Sequence, residues 1–389
     1  MRRLTLTDFR CYGHLRLDTD GRPVVLSGVN GAGKTNLLEA VSMLAPGRGL
    51  RRARLGDLAR RDAGETAAPT RDWAVAARLE LPEGPLDVGT GFVAAGGSAN
   101  ASGGASKGRD RRAVRIDGQA AKGQAALAER FAVQWLTPQM DRLFQEGASE
   151  RRRFLDRLVY GTDPAHAGRL SGYNHALRER ARLLREGRGD AAWLAALEET
   201  MASKGVAVAA ARHALVERLR HEAASHEGAF PGAELRLDGE VETWLAQQPA
   251  LAVEDRIRGR LEASRPRDAE VGGAAVGPHR GDLRVRHIGK GQMAELCSTG
   301  EQKALLIGIV LANARLSMVD KGRPPVLLLD EVAAHLDEDR RRALFDAVCA
   351  LGGQSWLTGT DAAVFAPLGA RAQHFTVDDG VVTPCEAAD

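Results

Sequence analysis

The sequence predicts an α/β fold in which a helical segment is inserted into one sheet-containing domain. Near the start of the chain, an apolar strand at 23–26 runs into a Gly-rich turn and an amphipathic helix. Near the end, a second apolar strand at 326–329 is followed by another helix. Residues 165–264 between them show helical periodicity. We therefore predict three segments: the first part of the domain at 1–164, a helical arm at 165–271, and the second part of the domain at 272–389.

The first part is predicted to be rich in strands. Leu4 and Leu6 alternate with threonines, which is the period of two that a half-buried strand requires. The stretch 95–108 is mostly Gly, Ser and Ala, so it has too little apolar surface to pack, and we expect a mobile hairpin tip or loop there. Predicted strands cover 4–7, 14–17, 23–26, 74–81, 86–93, 113–116 and 131–136, and the helix after 23–26 has Leu37, Leu38, Val41 and Leu44 on one side.

The arm is predicted to be a pair of antiparallel helices. Apolar residues recur at helical spacing from 170 to 184 and from 193 to 219, with a turn at 186–190 between the two runs. After 277 the α/β pattern returns. Its predicted elements are a strand around Leu283, a helix at 300–318, the strand 326–329, a helix at 338–351 and a final strand near Trp356.

The charge balance excludes one simple mechanism of nucleic-acid binding. The 389 residues carry a net charge of only +3, so any nucleic-acid site must be a local patch. Acidic residues lie among most of the arginines, which favours a solvent-exposed face with ion pairs for any single cluster. The clusters also lack the interleaved aromatic residues of a platform that stacks single-stranded bases. The clusters are 51–52, 60–61, 151–153 and 178–188.

The cysteines and the apolar runs indicate a cytosolic protein. Cys11, Cys297, Cys349 and Cys385 form no C-x-x-C pair, so we expect neither a zinc clip nor a thiol redox motif. The start of the chain has the pattern of a strand and not of a signal peptide. No apolar run approaches the roughly 20 residues of a membrane span, so no membrane association is expected.

A phosphate-binding loop is predicted at 28–35. Its sequence, Gly-Val-Asn-Gly-Ala-Gly-Lys-Thr, matches G-x-x-x-x-G-K-[ST] after a strand and before a helix, which is the context that the motif requires. The glycines allow backbone N–H groups to surround phosphate oxygens at the helix start. Lys34 is expected to bridge the β- and γ-phosphates, and Thr35 to bind Mg²⁺.

The apolar strand 326–329 ends in two acids, Asp330 and Glu331. A continuous apolar run is typical of a strand that is buried on both faces. Ligands of open α/β sheets bind at the carboxyl ends of such strands. Asp330 is expected to hold Mg²⁺ and Glu331 to deprotonate the attacking water.

The segment Ser298-Thr299-Gly300-Glu301-Gln302 precedes an apolar helix, and two interpretations of it stay open. Ser298 and Glu301 have the spacing of a capping box, so the segment can be a helix cap alone. A helix start with a free hydroxyl and a glycine is also an anion site. It would then meet the γ-phosphate held by a second subunit.

These segments together resemble the RecF family of ABC/SMC-type ATPases. The segment 298–302 resembles the family's signature motif, and the residues that follow Glu331 resemble its D-loop. Pro138-Gln139 resembles the Q-loop, and Phe9-Arg10 resembles the N-terminal Phe-Arg of RecF and SMC heads. The similarity continues at 150–156 and at 277–280, and it runs in order from 3 to about 379.

The resemblance implies an ABC-type ATPase head with a mixed or parallel sheet and an inserted short helical arm. It implies ATP and Mg²⁺ as cofactors, an ATP-dependent homodimer on duplex, gapped or junction DNA, partnership with RecR, and through RecO and RecR the loading of RecA. The catalytic residues would be Glu331, Lys34 and Ser298, and the Mg²⁺ ligands Thr35, Asp330 and Gln139. The nucleotide would be bound by Gly28, Asn30, Gly31, Gly33, Lys34, Thr35, Asn36, Arg10, Gln139, Ser298, Gly300, Gln302, Asp337 and Thr360.

Three other functions remain as alternatives. An SMC-type ATPase with a long arm is disfavoured, because the two predicted helices reach only roughly 60–70 Å. An ABC transporter subunit is disfavoured because Thr360 stands where such proteins have a switch histidine, and the same replacement predicts slow hydrolysis. A protein that binds ATP only as a structural ligand is disfavoured by Glu331.

Overall fold

The computed structural model describes residues 1–61, 71–93, 111–187, 190–224 and 229–386. The predicted loop at 95–108 lies outside these residues, as does the centre of the predicted turn at 186–190. The chain forms two compact units, one of residues 1–140 and 317–389 and the other of residues 141–316. The predicted helical arm falls within the second unit, and the division at 164 and 271 stays a prediction.

The strands and helices are as follows. The strands are β1 Arg3–Phe9, β2 Tyr12–Asp18, β3 Val24–Ser27, β4 Trp73–Leu81, β5 Gly84–Val93, β6 Arg111–Ile116, β7 Gln119–Ala120, β8 Val133–Leu136, β9 Ala233–Asp238, β10 Asp282–His287, β11 Gln292–Met293, β12 Val326–Leu329, β13 Ser355–Gly359, β14 Gln373–Asp378 and β15 Val381–Cys385. The helices are α1 Lys34–Ser42, α2 Ala125–Arg130, α3 Ala148–Thr162, α4 His166–Glu186, α5 Ala191–Ala224, α6 Glu240–Leu245, α7 Ala250–Ala263, α8 Arg265–Val271, α9 Thr299–Lys321 and α10 Glu338–Ala350.

The first unit contains two six-stranded sheets. One is antiparallel, in the order β2-β1-β4-β5-β6-β7. The other has the order β15-β14-β3-β13-β12-β8, and all its neighbours are parallel except β15. Its central strands β3, β12 and β13 are buried along almost their whole length, as expected of strands that are covered on both faces. The predicted α/β fold with a mixed, mainly parallel sheet is therefore confirmed.

The second unit contains the predicted pair of antiparallel helices, α4 and α5. Gly172 lies against Lys204, and Arg180 contacts Glu198. A later residue of α4 thus meets an earlier residue of α5, so the two helices are antiparallel. The core under this pair also includes α6 and α7. Its members are Tyr173, Ala176, Met201, Ala202, Val206, Ala209, Val241, Trp244, Val253, Ile257, Leu261, Ala274 and Val276.

Three predictions about individual elements were wrong. β9 lies inside the stretch predicted to be helical, where Ala233 and Leu235 alternate with exposed residues and β9 pairs with β10. The arm stretch also contains α6 and α7 besides the predicted pair, because Trp244 and Ile257 complete the core beneath it. The strand near Trp356 is not the last, since β14 and β15 follow it. Such short elements carry weak periodicity, and sheet pairing or packing decides them.

One helix bears on the membrane prediction. By length and composition α9 could cross a membrane, with a hydropathy of 1.3, but 72% of its apolar window is buried. The expectation that no apolar run approaches the length of a span is therefore wrong for α9. A core helix of a soluble protein has the same composition, and burial accounts for it here.

Candidate nucleotide site

The carboxyl ends of three parallel strands meet at one edge of the mixed sheet in the first unit. β3 ends at Ser27, β12 at Leu329 and β13 at Gly359. β13 lies between the other two and pairs in parallel with both. The segments that follow therefore leave the sheet at the same edge, which is where open α/β sheets bind ligands.

The predicted phosphate loop follows β3 and has a backbone that requires glycine at two positions. Gly28 has φ of 152°, and a Cβ there would lie 2.1 Å from the carbonyl oxygen of Val377. Gly33 has φ of 116°, and its Cβ would lie 2.6 Å from the Tyr12 hydroxyl. Both positions therefore exclude a side chain by conformation and by space. The tip of the loop, from Val29 to Gly31, is exposed.

Lys34 is the first residue of α1, and its side chain bends back over the loop. Its Nζ donates to the carbonyl oxygens of Gly28 (2.7 Å) and Val29 (2.8 Å). An ammonium group has three donors, so one N–H is left for an anion. Burial lowers the pKa of Lys34, while the negative charges of Glu331 and Asp330 oppose that shift. The N–H groups of the first turn of α1 add to the positive potential at the loop.

The two acids after β12 are held by hydroxyl groups from two other segments. Asp330 Oδ1 accepts hydrogen bonds from Thr35 Oγ1 (2.9 Å) and from Thr358 Oγ1 (2.8 Å). The Glu331 N–H donates to the same Thr358 oxygen at 2.9 Å. Glu331 has φ of 53°, a left-handed conformation that is uncommon for residues other than glycine. Thr358 therefore orients both acids at once.

The oxygen atoms at this edge fit a magnesium ion. Mg²⁺ prefers oxygen donors and is usually bound by one or two carboxylates together with water and substrate phosphates. Thr35 and Asp330 supply a hydroxyl and a carboxylate whose oxygens already contact each other. Gln139 is exposed in the segment after β8, whose Leu136 carbonyl accepts from the Asp330 N–H at 2.9 Å. Among the described residues no group of three or more His, Cys, Asp or Glu side chains could hold a metal, so a protein-only cage is not formed there.

Arg10 is held beside α1 by a carboxylate. Its Nε and Nη2 donate to Glu39 at 2.8 and 2.9 Å, and its Nη1 donates to the Asp57 carbonyl at 2.9 Å. Glu39 is fully buried and also accepts from Arg51 at 3.3 Å. Arg51 donates in addition to the Asn36 side chain at 2.7 Å. This network ties the N-terminal Phe-Arg segment to the helix that begins at the phosphate loop.

The other predicted residues of the first unit lie in different surroundings. Asn30 and Thr360 are exposed, Asn30 at the loop tip and Thr360 directly after β13. Asp337 is the N-cap of α10, and its side chain accepts from the Arg340 N–H at 2.8 Å. Asp337 thus already has a local structural role.

The segment 298–302 lies in the second unit, and its first residues form the predicted capping box. The Ser298 N–H donates to Glu301 Oε2 at 3.0 Å, and the Glu301 N–H donates to Ser298 Oγ at 3.4 Å. A hydrogen bond and ion pair with Lys290, followed by the bonds to Ser298, lower the pKa of Glu301 to about 2. Ser298 and Gly300 are exposed. The cap is therefore real, and it leaves the start of α9 open to solvent.

Gln302 is placed differently from Ser298 and Gly300. It is 1% exposed, and its Nε2 donates to the Cys297 carbonyl at 2.8 Å. Its buried Oε1 has no hydrogen-bond partner among the described residues. The side chain therefore supports the backbone just before Ser298 from inside the second unit.

Two more segments that carry the resemblance, 150–156 and 277–280, are linked in the second unit by Arg212. Arg212 donates to Asp156 at 2.7 and 2.9 Å and to the Pro278 carbonyl at 2.7 Å. Tyr173 and His279 Nδ1 are 2.6 Å apart, and burial lowers the pKa of His279 to about 4. His279 is thus neutral at pH 7, and this network fixes the fold of the segments.

Two residues of the site were missed by sequence reasoning. Thr358 stands in the same Thr-Gly-Thr-Asp quartet as Thr360, but only the second threonine was compared with a switch histidine. Glu39 is the one acid in α1 and is fully buried, but it lies on the side of the helix opposite Leu37 and Val41, so no pattern in the sequence signalled its burial.

The fold and this sheet edge define an ATPase head of the ABC/SMC type. The family model described as "RecF/RecN/SMC N terminal domain" matches residues 1–365. The chain belongs to the RecF family of DNA replication and repair proteins, as the signature, D-loop and Phe-Arg segments predicted.

Relatives from this family match almost the whole chain. The "DNA replication and repair protein RecF" of Allorhizobium ampelinum is 50% identical over 97% of this chain and 97% of that protein. The protein of the same description from Rhizobium rhizogenes is 51% identical over 98% of this chain and 97% of that protein.

Solved structures show the same fold at lower identity. A structure of "the recombination mediator protein RecF-ATP in RecFOR pathway" is 21% identical and has a TM-score of 0.79, with 99% of this chain and 97% of that chain covered. The Smc head domain of Pyrococcus furiosus, with an extended coiled coil and bound to the C-terminal domain of ScpA, is 16% identical and has a TM-score of 0.53, with 99% and 95% covered. At these identities the likeness concerns the fold alone.

Proposed function

We propose that this protein binds ATP and Mg²⁺ at the sheet edge, dimerises in its ATP-bound state on duplex, gapped or junction DNA, and hydrolyses ATP slowly to release it. In the cytoplasm it would act with RecR, and through RecO and RecR it would help to load RecA at single-strand gaps. The observation that supports this best is the contact of Thr35 with Asp330 beside the Lys34 ammonium. A hydroxyl, a carboxylate and an ammonium on one edge match the three partners that a magnesium-bound triphosphate needs.

The chain's own side chains have distinct parts in the proposed chemistry. Lys34 and the N–H groups at the start of α1 bind the phosphates and neutralise their charge. Thr35 and Asp330 would hold Mg²⁺, which supplies Lewis-acid stabilisation of phosphate oxygens when bound. Glu331 accepts a proton from the attacking water on a carboxylate oxygen, and Thr358 holds its backbone in place.

The proposed dimer places Ser298 and Gly300 of one subunit against the nucleotide of the other. Both residues are exposed at the start of α9, where the helix N-terminus favours an anion. Thr360 offers no cation or proton acceptor at the switch position, which favours slow turnover. The solved relative is described as RecF-ATP in the RecFOR pathway, and this description supports the same ligand and pathway for the present chain.

The test is the oligomeric state measured without nucleotide, with ADP and with ATP, each with and without duplex DNA, together with ATP turnover. We expect dimers only with ATP, tighter DNA binding in that state, and weak turnover that DNA stimulates. Dimers that form to the same extent without ATP would contradict the proposed ATP-dependent dimer. Bound ATP that is never hydrolysed would favour a structural ligand instead of an enzyme.

A further inference from the structure

The strongest local concentration of positive charge in the chain is the segment 48–61, here called the arginine strap. It contains six arginines and one acid, Asp57, so its net charge is +5, whereas the whole chain of 389 residues carries +3. The remainder of the protein is therefore slightly negative. A field that is concentrated in this way attracts a polyanion to one place on the surface.

The backbone of the strap is fixed to the first unit. Leu50 and Leu58 are 7% and 0% exposed, and the Leu50 N–H donates to Ser42 Oγ at 2.7 Å. The Leu55 carbonyl accepts from the Trp73 indole at 2.7 Å, and the Arg60 N–H donates to the Asp8 carbonyl at 2.8 Å. The apolar side chains thus face the core. The arginines that are exposed to solvent are Arg48, Arg51, Arg52, Arg54 and Arg61.

The other arginine clusters are mostly neutralised by acids of their own unit. Arg151 forms a two-point ion pair with Asp282 at 2.7 and 2.8 Å. Arg182 pairs with Glu179 at 2.9 Å and with Glu186 at 3.2 Å. These pairs match the expectation of an ion-paired face and leave little charge for a ligand.

The arginine strap and its neighbours have too few acids to form an ion pair with every arginine of the strap. Asp57 pairs with Arg61 at 3.4 Å, and each of the two side chains is a little less than half exposed. Arg51 shares Glu39 with Arg10, which already occupies that carboxylate at two points. The side chains of Arg48 and Arg54 have no hydrogen bond or ion pair with any of the residues that the structure describes, although the Arg54 carbonyl accepts from the Asp57 N–H at 3.0 Å.

We propose that the arginine strap binds the phosphate backbone of duplex DNA. The inference rests on the proposed DNA-binding function and assigns it to a surface. Guanidinium groups form two-point hydrogen bonds with phosphate oxygens. The strap has no aromatic residue for stacking single-stranded bases and no Asn or Gln for reading base edges. Its contacts are therefore with the backbone and independent of sequence.

The test is a salt titration of DNA affinity with the double variant Arg48→Gln/Arg54→Gln and a matched control, Arg130→Gln/Arg267→Gln. The side chains of the control arginines are also exposed and have no bonded partner among the described residues, so both variants remove the same charge and break no side-chain hydrogen bond of the fold. All proteins are full-length, saturated with ATP and Mg²⁺, and tested on two unrelated duplexes and one single strand.

On duplex DNA, each phosphate that the protein neutralises contributes about 0.9 to the slope of log affinity against log salt. The strap variant should therefore have a slope that is shallower by about 1.8 for each strap that contacts the duplex, or about 3.6 for both straps of the ATP-bound dimer, and an affinity that is roughly tenfold or more weaker on both duplexes, while the control keeps the wild-type values. An unchanged slope in the strap variant, or an equal change in the control, would overturn the assignment. If the strap variant lost more affinity for the single strand than for the duplexes, the assignment to duplex DNA would be wrong. If the wild-type protein bound no DNA, the proposed function itself would be refuted.

Discussion

The sheet edge of the first unit and the start of α9 in the second unit contain the same kinds of groups and are built in opposite ways. Each has a hydroxyl and a glycine at the beginning of a helix, together with an acid that contacts the hydroxyl. At the sheet edge, the bond from Thr35 to Asp330 joins residues 295 positions apart. At the start of α9, the bonds between Ser298 and Glu301 join residues three positions apart.

Because of this difference, we expect the two regions to have different roles. The polar groups of the sheet edge are held in place by the packing of three strands, so the edge is preorganised within one chain. The groups of Ser298 and Gly300 are exposed, and only their own helix turn orders them. We therefore expect changes at the sheet edge to alter binding and rate in each subunit, and changes at Ser298 to alter association between subunits.

The largest expected effect is on nucleotide binding. Lys34→Ala removes the ammonium that faces the loop, and backbone amides alone compensate the β- and γ-phosphate charge poorly. ATP affinity should fall roughly 10- to 150-fold, since Lys34 has one N–H left for the phosphates and the absence of one charge-assisted hydrogen bond costs about 1.5–3 kcal/mol. Equilibrium binding of a fluorescent ATP analogue measures this, with the exposed Lys122→Ala as a control that should bind normally. Unchanged affinity in the first variant would remove the phosphate-loop assignment.

The next effect concerns hydrolysis without loss of binding. Glu331→Gln keeps the shape of the side chain but is unable to take a proton from water, and loss of a general base costs about 10²–10⁴ in rate. Because Asp330, Lys34 and Thr35 remain, ATP should still bind and the dimer should persist on DNA longer than in the wild type. Single-turnover kinetics and gel filtration check the two halves of the prediction. A variant that hydrolyses ATP at the wild-type rate would refute the role of Glu331.

Two substitutions at Ser298 separate the cap from the composite site. Ser298→Asp keeps an N-cap acceptor for the Glu301 N–H but adds a negative charge that repels a partner's γ-phosphate. Ser298→Arg blocks the same approach by bulk. Each monomer should bind ATP normally, while ATP-dependent dimers and turnover should fall about tenfold or more, which corresponds to roughly 1.4 kcal/mol.

The mixture of Ser298→Arg with Glu331→Gln sharpens this result. One composite site of the mixed dimer contains both substitutions and the other contains neither, so some turnover should return. If Ser298→Asp instead forms dimers as the wild type does, the segment is a helix cap and nothing more.

The smallest expected effect is a change in the pKa of Glu301 in the capping box. The hydrogen bond with Lys290 is the main cause that lowers the pKa of Glu301 to about 2. Lys290→Met should therefore raise it towards its ordinary value of 4.5. Because the folded pKa is the lower one, the contribution of Glu301 to stability is present above about pH 4.5 and is lost as the pH falls towards 2. NMR titration of the Glu301 side chain measures the shift, and an unchanged pKa in the variant would assign it to the Ser298 bonds instead.

Features that depend on neighbouring residues were predicted from the sequence, whereas features that depend on contacts between distant residues were missed. The phosphate loop, the acids after β12 and the capping box at Ser298 were all predicted, since each is set within a few residues. β9 was missed because its identity as a strand depends on pairing with β10, whose first residue is 44 positions beyond the end of β9 in the chain. The ion pairs that separate the arginine strap from the other clusters were also invisible, because Arg151 finds Asp282 only in the folded unit.

The sequence by itself determined the family, the fold class and the chemical groups available for a magnesium nucleotide, because motif spacing and strand apolarity are local properties that the chain displays before folding. Only the tertiary structure decided how those groups are oriented. It placed Thr358 between Asp330 and Glu331, buried Glu39 beneath Arg10, and turned Gln302 inward while Ser298 stayed exposed. These outcomes depend on strand register and core packing, which no short pattern encodes and which bring together residues such as Thr35 and Asp330, 295 positions apart.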